Sequence, residues 1–272
     1  MPRYNEKEKI RQHYDVVSPY YISLWGNHIH HGYWIRGDES KEQAQLQLID
    51  HLAQAAAFPR DSTLLDIGCG FGGSSIYLSK KYNARATGIT ISPVQVDLAN
   101  KAAKLAGANA VFLHMDAEAM TFPEPFDVLW SVESISHYQD LGKFFASASR
   151  LLKPGGTMAI TDWFKKDGLT PEQSRKALGP IEKGMLIEMH TMKEYEDLME
   201  KNGLKIAQTE VLNKECAKTW DLGLDIIKKK EFWAIAAWHG IAFLHFLRSF
   251  KSMRAGFASG NFVYGLIVAR KI

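Results

Sequence analysis

From Ser62 onward the chain alternates between two rhythms. Short apolar runs rich in β-branched residues are each followed by a stretch whose apolar positions recur every three or four residues, the pattern of strands and helices in a parallel sheet covered on both faces. STLLDIG is the first predicted strand, and GSSIYLSKKY the helix after it. ARATGITIS is the second strand; its helix, PVQVDLANKAAKLAG, is opened by Pro93 at a favoured first position and closed by Gly107. AVFLHMD and FDVLWSVES are the third and fourth strands. Asp140 then caps a helix whose Leu141, Phe144, Phe145, Ala148, Leu151 and Leu152 fall at helical spacing. KPGG ends that helix before a fifth strand, TMAITDW.

Beyond Trp163 the alternation loosens. TMKEYEDLMEKNG predicts a helix, LKIAQTEVL a strand, residues 214–256 a long helical stretch, and FVYGLIVARK the last strand. The expectation is an α/β fold with a mostly parallel seven-stranded sheet, in one domain spanning residues 1–272. Within it, residues 1–58 form a helical arm or lid and 59–165 the ligand-binding core. Residues 164–190 and 214–258 are cap insertions, while 191–213 and 259–272 complete the sheet. In open sheets of this kind ligands bind at the carboxyl ends of the strands, under such a cap.

Composition narrows the function classes. A chain of 272 residues with 46% hydrophobic residues suits one large core. The net charge of +3 is mild and its basic residues are interleaved with acidic ones, so nucleic acid is not an expected partner. Two cysteines, Cys69 and Cys216, are too few for a disulfide framework and fit a reducing, cytoplasmic setting. The charged start MPRYNEKEKIRQHY has no apolar signal core. FWAIAAWHGIAFLHFL, from Phe232 to Leu247, is short for a bilayer and carries His239 and His245; it reads as a buried or lid helix, without stable membrane insertion.

The chemistry gathers at LLDIGCGFGG, where Asp66, Gly68, Gly70, Gly72 and Gly73 occupy a strand-to-helix turn. Glycines there let the backbone bend sharply and approach a ligand closely. Gly68, Gly70 and Gly73 also satisfy a GxGxxG dinucleotide pattern, which alone is weak evidence. A dinucleotide site wants an acidic residue at the end of the second strand, and that strand ends GITIS. Asp66, two places before the first glycine, instead offers a carboxylate to a cationic amino group.

D-x-G-x-G-x-G-G, GITISPVQ, MDAE, FDVLWSVESISHY and LKPGG, in this order, resemble the class I S-adenosylmethionine-dependent methyltransferases, whose fold is Rossmann-like. HIHHGYW, GITIS and SVESISHYQD resemble most the branch of tocopherol C-methyltransferases, natural-product sugar O-methyltransferases, sterol methyltransferases and cyclopropane fatty acid synthases. The resemblance implies that Asp66, Gly68 and Gly70 hold the methionine part of the cofactor. Thr90 and Gln95 share the ribose hydroxyls in place of the usual acid, Asp116 and the Ala117 N–H contact adenine, and the Ser131 carbonyl meets the ammonium group. Plainer readings stay open, with Gly72 and Gly73 as packing residues, Asp116 as a turn former and Gln95 as a solvated helix residue.

Methyl transfer from a sulfonium needs alignment in a dry cleft more than elaborate chemistry, but a hydroxyl acceptor also needs a base. His137 after the fourth strand and Asp162 at the end of the fifth match the proton-accepting pair of the sugar O-methyltransferases. Glu133 orients an acceptor or caps the following helix. Ser136 stands where cyclopropane synthases have a glutamate, which argues against cyclopropanation.

WGNHIHHGYW, Trp25 to Trp34, holds three histidines without a cysteine or carboxylate at ligand spacing, and an extended strand sends His30 and His31 to opposite faces. No metal is expected. The resemblance implies instead a segment folded over the cofactor, with His30 and His31 near the methionine carboxylate and the acceptor, and with Tyr20, Tyr21, Trp25, Tyr33 and Trp34 excluding water. His28 reads equally well as part of a packed arm. Trp220, Phe232, Trp233, Trp238, Phe243 and Phe246 make the cap aromatic, pointing to a small hydrophobic or aromatic acceptor.

The reading is thus methylation of such a metabolite, O-methylation first and N- or C-methylation as alternatives, by a monomer or homodimer, leaving S-adenosylhomocysteine. A non-methylating catalyst on the same fold and a nicotinamide oxidoreductase are the other classes.

Overall fold

The computed structural model describes residues 4–228 and 249–272. Seven strands form one sheet in the order β3-β2-β1-β4-β5-β7-β6. They are β1 Thr63–Ile67, β2 Arg85–Thr90, β3 Ala110–His114, β4 Phe126–Val132, β5 Leu152–Lys165, β6 Leu204–Val211 and β7 Phe262–Lys271. β1 to β5 pair parallel, and β7 runs antiparallel between β5 and β6. The Rossmann-like expectation therefore holds.

One boundary differs. β5 begins at Leu152, directly after the helix capped by Asp140, so KPGG lies inside the strand. Phe126 pairs with Leu152 and Val128 already pairs with Thr157, so the intervening β5 residues are accommodated as an irregularity, helped by Gly155 at φ +74°.

The helices are α1 Tyr4–Trp25, α2 Lys41–Ala55, α3 Gly73–Tyr82, α4 Pro93–Ala106, α5 Leu141–Leu151, α6 Pro171–Met185, α7 Met192–Lys201, α8 Asn213–Cys216 and α9 Lys218–Ile227, and residues 249–259 are helical too. Their ends follow the sequence signals. Ser92 caps α4 by accepting from the Gln95 N–H, Pro93 opens it and Gly107 closes it in the left-handed region. Asp140 caps α5 through the Lys143 N–H. The long helical stretch expected from residue 214 is divided at Ala217. Phe232, Trp233, Trp238, Phe243 and Phe246 lie outside the described residues, as do the side chains of Tyr20 and Tyr21.

Strand side chains alternate between two cores. Leu64, Val128, Trp130, Ala159, Leu266 and Val268 pack on one face with Leu48 and Leu52 of α2 and Leu78 of α3. Leu65, Leu129, Ile160 and Ile267 pack on the other with Phe144 and Phe145 of α5 and Tyr195 of α7. The double cover leaves the carboxyl ends of β1, β2 and β4 as the edge on which a site is built. Among the described residues no helix is long and apolar enough to cross a membrane.

Candidate active site

A single cleft of about 1590 Å³, counted with its open mouth, runs over these strand ends. Its first part is the glycine turn. Gly68, Gly70 and Gly72 have φ of +78°, +52° and +78°, a region that side-chain-bearing residues enter at a cost. A Cβ on Gly68 would overlap the Ser134 hydroxyl, whereas one on Gly70 would meet only Ile29, at 3.4 Å, and otherwise project into the cleft. Gly72 and Gly88 both press on the Phe112 ring, leaving no room for a Cβ on either, and Gly73 packs under Asn27 and His28 of the arm. The packing reading thus describes Gly72 and Gly73, and the ligand reading suits Gly70.

Asp66 lies in the wall, 2% exposed, with its carboxylate accepting from the Ser75 hydroxyl at 2.6 Å. Burial outweighs that hydrogen bond and raises its pKa to about 7. A buried carboxyl whose one partner is the neutral Ser75 has the chemistry to pair with a cationic group. Across the cleft the Thr90 hydroxyl donates to Gln95 Oε1 at 2.6 Å, both residues buried and both in the wall, so Gln95 is not a solvated helix residue. Asp116 and Ala117 line the next part. Asp116 is also a turn former, accepting the Glu118 N–H at 2.9 Å, and Lys7 of α1 bridges Asp116 and Glu118 at 2.7 Å each. The residues present fit an aminoacyl nucleoside: an acid for the ammonium, a bare backbone turn, a paired hydroxyl and amide for a ribose, and an acid with an adjacent N–H for a base.

The far end of the cleft is walled by His31, Glu133, Ser136, His137, Trp163 and Trp220. His137 Nδ1 donates to the Leu186 carbonyl at 3.1 Å, and its Nε2 accepts from the Tyr14 hydroxyl of α1 at 3.0 Å. Burial pushes its pKa down to about 4. Glu133 Oε1 accepts from the His31 backbone N–H, the His31 ring and the Tyr264 hydroxyl, at 2.7, 2.9 and 2.8 Å. Burial works to raise the Glu133 carboxyl, but the His31 imidazole outweighs it and holds the group below its usual range. The carboxylate therefore orients a side chain and does not cap a helix.

Several expectations need correction. Asp162 is not paired with His137. Its carboxylate accepts from the Ser136 and Trp163 backbone N–H groups and the Tyr195 hydroxyl, at 2.9, 2.8 and 3.3 Å, behind the cleft wall, and burial raises its pKa to about 7. Tyr14 and Leu186 orient the imidazole instead. Ser131 lies one residue short of the wall, which begins at Val132, and its hydroxyl ties β4 to the Ile67 carbonyl of β1 at 3.0 Å.

The arm over residues 26–40 is irregular, not a strand, so its histidines are placed by packing. His28, His30 and His31 all line the cleft. His30 Nδ1 donates to the His31 carbonyl at 2.8 Å, its Nε2 has no partner among the described residues, and burial lowers its pKa. The Gln45 amide holds the arm by donating to the His28 and His30 carbonyls. Trp25 and Trp220 line the cleft as expected. Tyr33 and Trp34 do not: Tyr33 stacks on His51 at 4.5 Å and the Trp34 indole donates to the Glu39 carbonyl. Among the described residues no group of His, Cys, Asp or Glu can hold a metal ion.

Lys7 and Tyr14 are the residues that sequence reasoning missed. Their partners lie 109 and 123 positions away, and nothing in the charged, weakly amphipathic α1 marks those two side chains among its others.

Comparison with known proteins agrees with this layout. Residues 2–257 match the family model described as mycolic acid cyclopropane synthetase. A "Probable tocopherol O-methyltransferase, chloroplastic" of Oryza sativa subsp. japonica is 35% identical over 66% of this chain, and the match spans only 52% of that relative's length. A 27-O-demethylrifamycin SV methyltransferase of Amycolatopsis mediterranei is 32% identical over 78% of this chain and 79% of the relative. Among solved structures, the [4+2]-cyclase SpnF superposes with a TM-score of 0.85 at 25% identity, covering 97% of this chain and 96% of that one.

Proposed function

The chain belongs to the mycolic acid cyclopropane synthetase family, and within it we propose an S-adenosylmethionine-dependent methyltransferase acting on a small, hydrophobic or aromatic acceptor, with oxygen as the methylated atom. One observation carries the reading: a single cleft joins the bare glycine turn and the Thr90–Gln95 pair to an end walled by imidazoles and indoles. Bound S-adenosylmethionine supplies a methyl group already activated on a sulfonium.

The chain's own residues do the rest. Asp66 takes the ammonium group, and Gly68 and Gly70 leave the room its methionine part needs. Thr90 and Gln95 hold the ribose hydroxyls, and Asp116, released by Lys7, takes the adenine amine beside the Ala117 N–H. His30 completes the methionine end. At the other end the acceptor hydroxyl replaces Tyr14 as donor to His137 Nε2, which removes its proton as the methyl arrives. Trp25, Trp163 and Trp220 keep water out. Asp162 acts through the Ser136 backbone that precedes His137. With Ser136 the cleft lacks the carboxylate that cyclopropane synthases resembling this chain carry. The free thiols Cys69 and Cys216 accord with a reducing compartment, read here as the cytoplasm.

The test is transfer of label from methyl-labelled S-adenosylmethionine into a metabolite extract, with calorimetry of S-adenosylhomocysteine and of NADH alongside. Tight binding of the first, none of the second, and a labelled small molecule are expected. Binding without label transfer supports the second reading, a non-methylating catalyst using the same cleft, which the likeness to SpnF favours.

A further inference from the structure

Glu133 follows β4 with φ at +53°, a conformation that costs a non-glycine residue energy and persists where its surroundings demand it. Here it brings the carboxylate to His31. That imidazole is 1% exposed, stacked on Tyr264 at 4.2 Å between ring centroids and set edge-on to Trp220 at 4.7 Å. Among the described residues its Nε2 has no hydrogen-bond partner, and neither do the indole N–H groups of Trp163 and Trp220. All three rings line the cleft. A buried polar atom left unpaired is costly, so three of them around one space mark a place where a ligand supplies the partners.

The chemistry of that ligand follows from the hydrogen-bond roles. Because Nδ1 donates to a carboxylate, Nε2 is the nitrogen with the available lone pair, and the carboxylate stabilises the imidazolium formed when it takes a proton. The indoles only donate, and suit an oxygen that gains negative charge. Such a site favours the more acidic hydroxyl: a phenol, near 10 in water, gives up its proton far more readily than an aliphatic alcohol, near the 15.7 or so of water. Met185, Trp163, Trp220 and Phe250 give the apolar walls an aromatic ring requires.

We infer that His31 and Glu133 form a second proton-accepting pair, separate from His137, which selects an aromatic acceptor through a phenolic hydroxyl. This rests on the methyltransferase reading only for what the acceptor is used for. The O–H bond breaks with its electrons left on oxygen, and an N–H bond forms on His31 Nε2. The ring, made electron-rich, is methylated on a second hydroxyl, whose own proton passes to His137. His31 then returns its proton to the oxygen, so one proton is released per methyl transferred.

The test uses para-nitrophenol, whose ionised form is yellow, bound to the protein with and without S-adenosylhomocysteine at a pH below the dye's own pKa. Bound dye is expected to ionise on the unaltered protein. Its phenolate fraction should fall at least tenfold in His31→Phe. It should fall several-fold in Glu133→Gln, where the amide oxygen still accepts from Nδ1 but carries no charge. That variant serves if His31→Phe does not fold. Para-nitroanisole, which has no proton to give, should bind all three alike. The inference is overturned if the dye fails to bind, stays protonated, ionises equally in the variants, or loses its ionisation only in His137→Ala. If S-adenosylhomocysteine fails to bind while the dye ionises, the methyltransferase reading falls and the proton-accepting pair stands.

Discussion

The two ends of the cleft are built by different means. The glycine turn is a backbone device: its shape comes from three consecutive bends within Gly68–Gly72 and from strands that are neighbours in the sheet. The acceptor end is a side-chain device. His31, Glu133, His137, Tyr14 and Tyr264 arrive from the arm, the ends of β4, α1 and β7, and each is held by a partner more than 100 residues away. A backbone device tolerates little variation, because a single Cβ fills the space it makes. A side-chain device can be rebuilt one residue at a time, so one cofactor can serve relatives with different acceptors.

The contrast is broken most directly at Gly70. Gly70→Val should abolish measurable S-adenosylhomocysteine binding in calorimetry while secondary structure by circular dichroism stays native, since the new side chain fills cleft and displaces little protein. Retained affinity removes the turn from the site. At the other end, His137→Ala should lower turnover by roughly 10²–10⁴-fold, the span of a lost general base, with cofactor affinity within about twofold. Steady-state kinetics with equal turnover would dismiss it as the base.

A pH experiment sharpens the comparison further. The carboxyls of Asp66 and Asp162 are raised from 3.8 to about 7, so the folded protein keeps protons that the unfolded chain releases. Stability should therefore fall as pH rises from about 4 to about 7. Thermal midpoints across that range should decline less in Asp66→Asn, and less in the unaltered protein when S-adenosylhomocysteine supplies an ammonium group to Asp66. Equal slopes would mean that Asp66 is not a cation site. The smallest effect belongs to Lys7→Met. Its ion pairs are partly exposed and worth about 0–1 kcal/mol, so the thermal midpoint should barely move, while adenosine-type ligands gain slightly in affinity from an unencumbered Asp116.

The same contrast explains what could be read from the chain. Every strand, the opening of α4 at Pro93, its close at Gly107 and the cap at Asp140 were legible, because each is a local preference expressed within a few residues. Asp66, Gly68, Gly70, Thr90, Gln95, Asp116 and Ala117, singled out by motif resemblance, all line one cleft because they lie at or just beyond the carboxyl ends of β1, β2 and β3. His137 was legible by position, but its partner was not: Asp162 lies on the adjacent strand, yet its carboxylate is consumed by backbone N–H groups. The pairing of Tyr14 with His137, and that of His31 with Glu133, depend on how an irregular arm and a long helix settle against the sheet. No periodicity encodes such a contact.

Phe112 does not line the cleft, yet Gly72 and Gly88 close on its ring from the turn and from β2. The loop is therefore held in shape by an aromatic plug in the third strand, and under the proposed function a nucleoside would meet it already ordered. Grip on the cofactor can accordingly be loosened from outside the cleft, by trimming that ring, without altering one atom the cofactor meets.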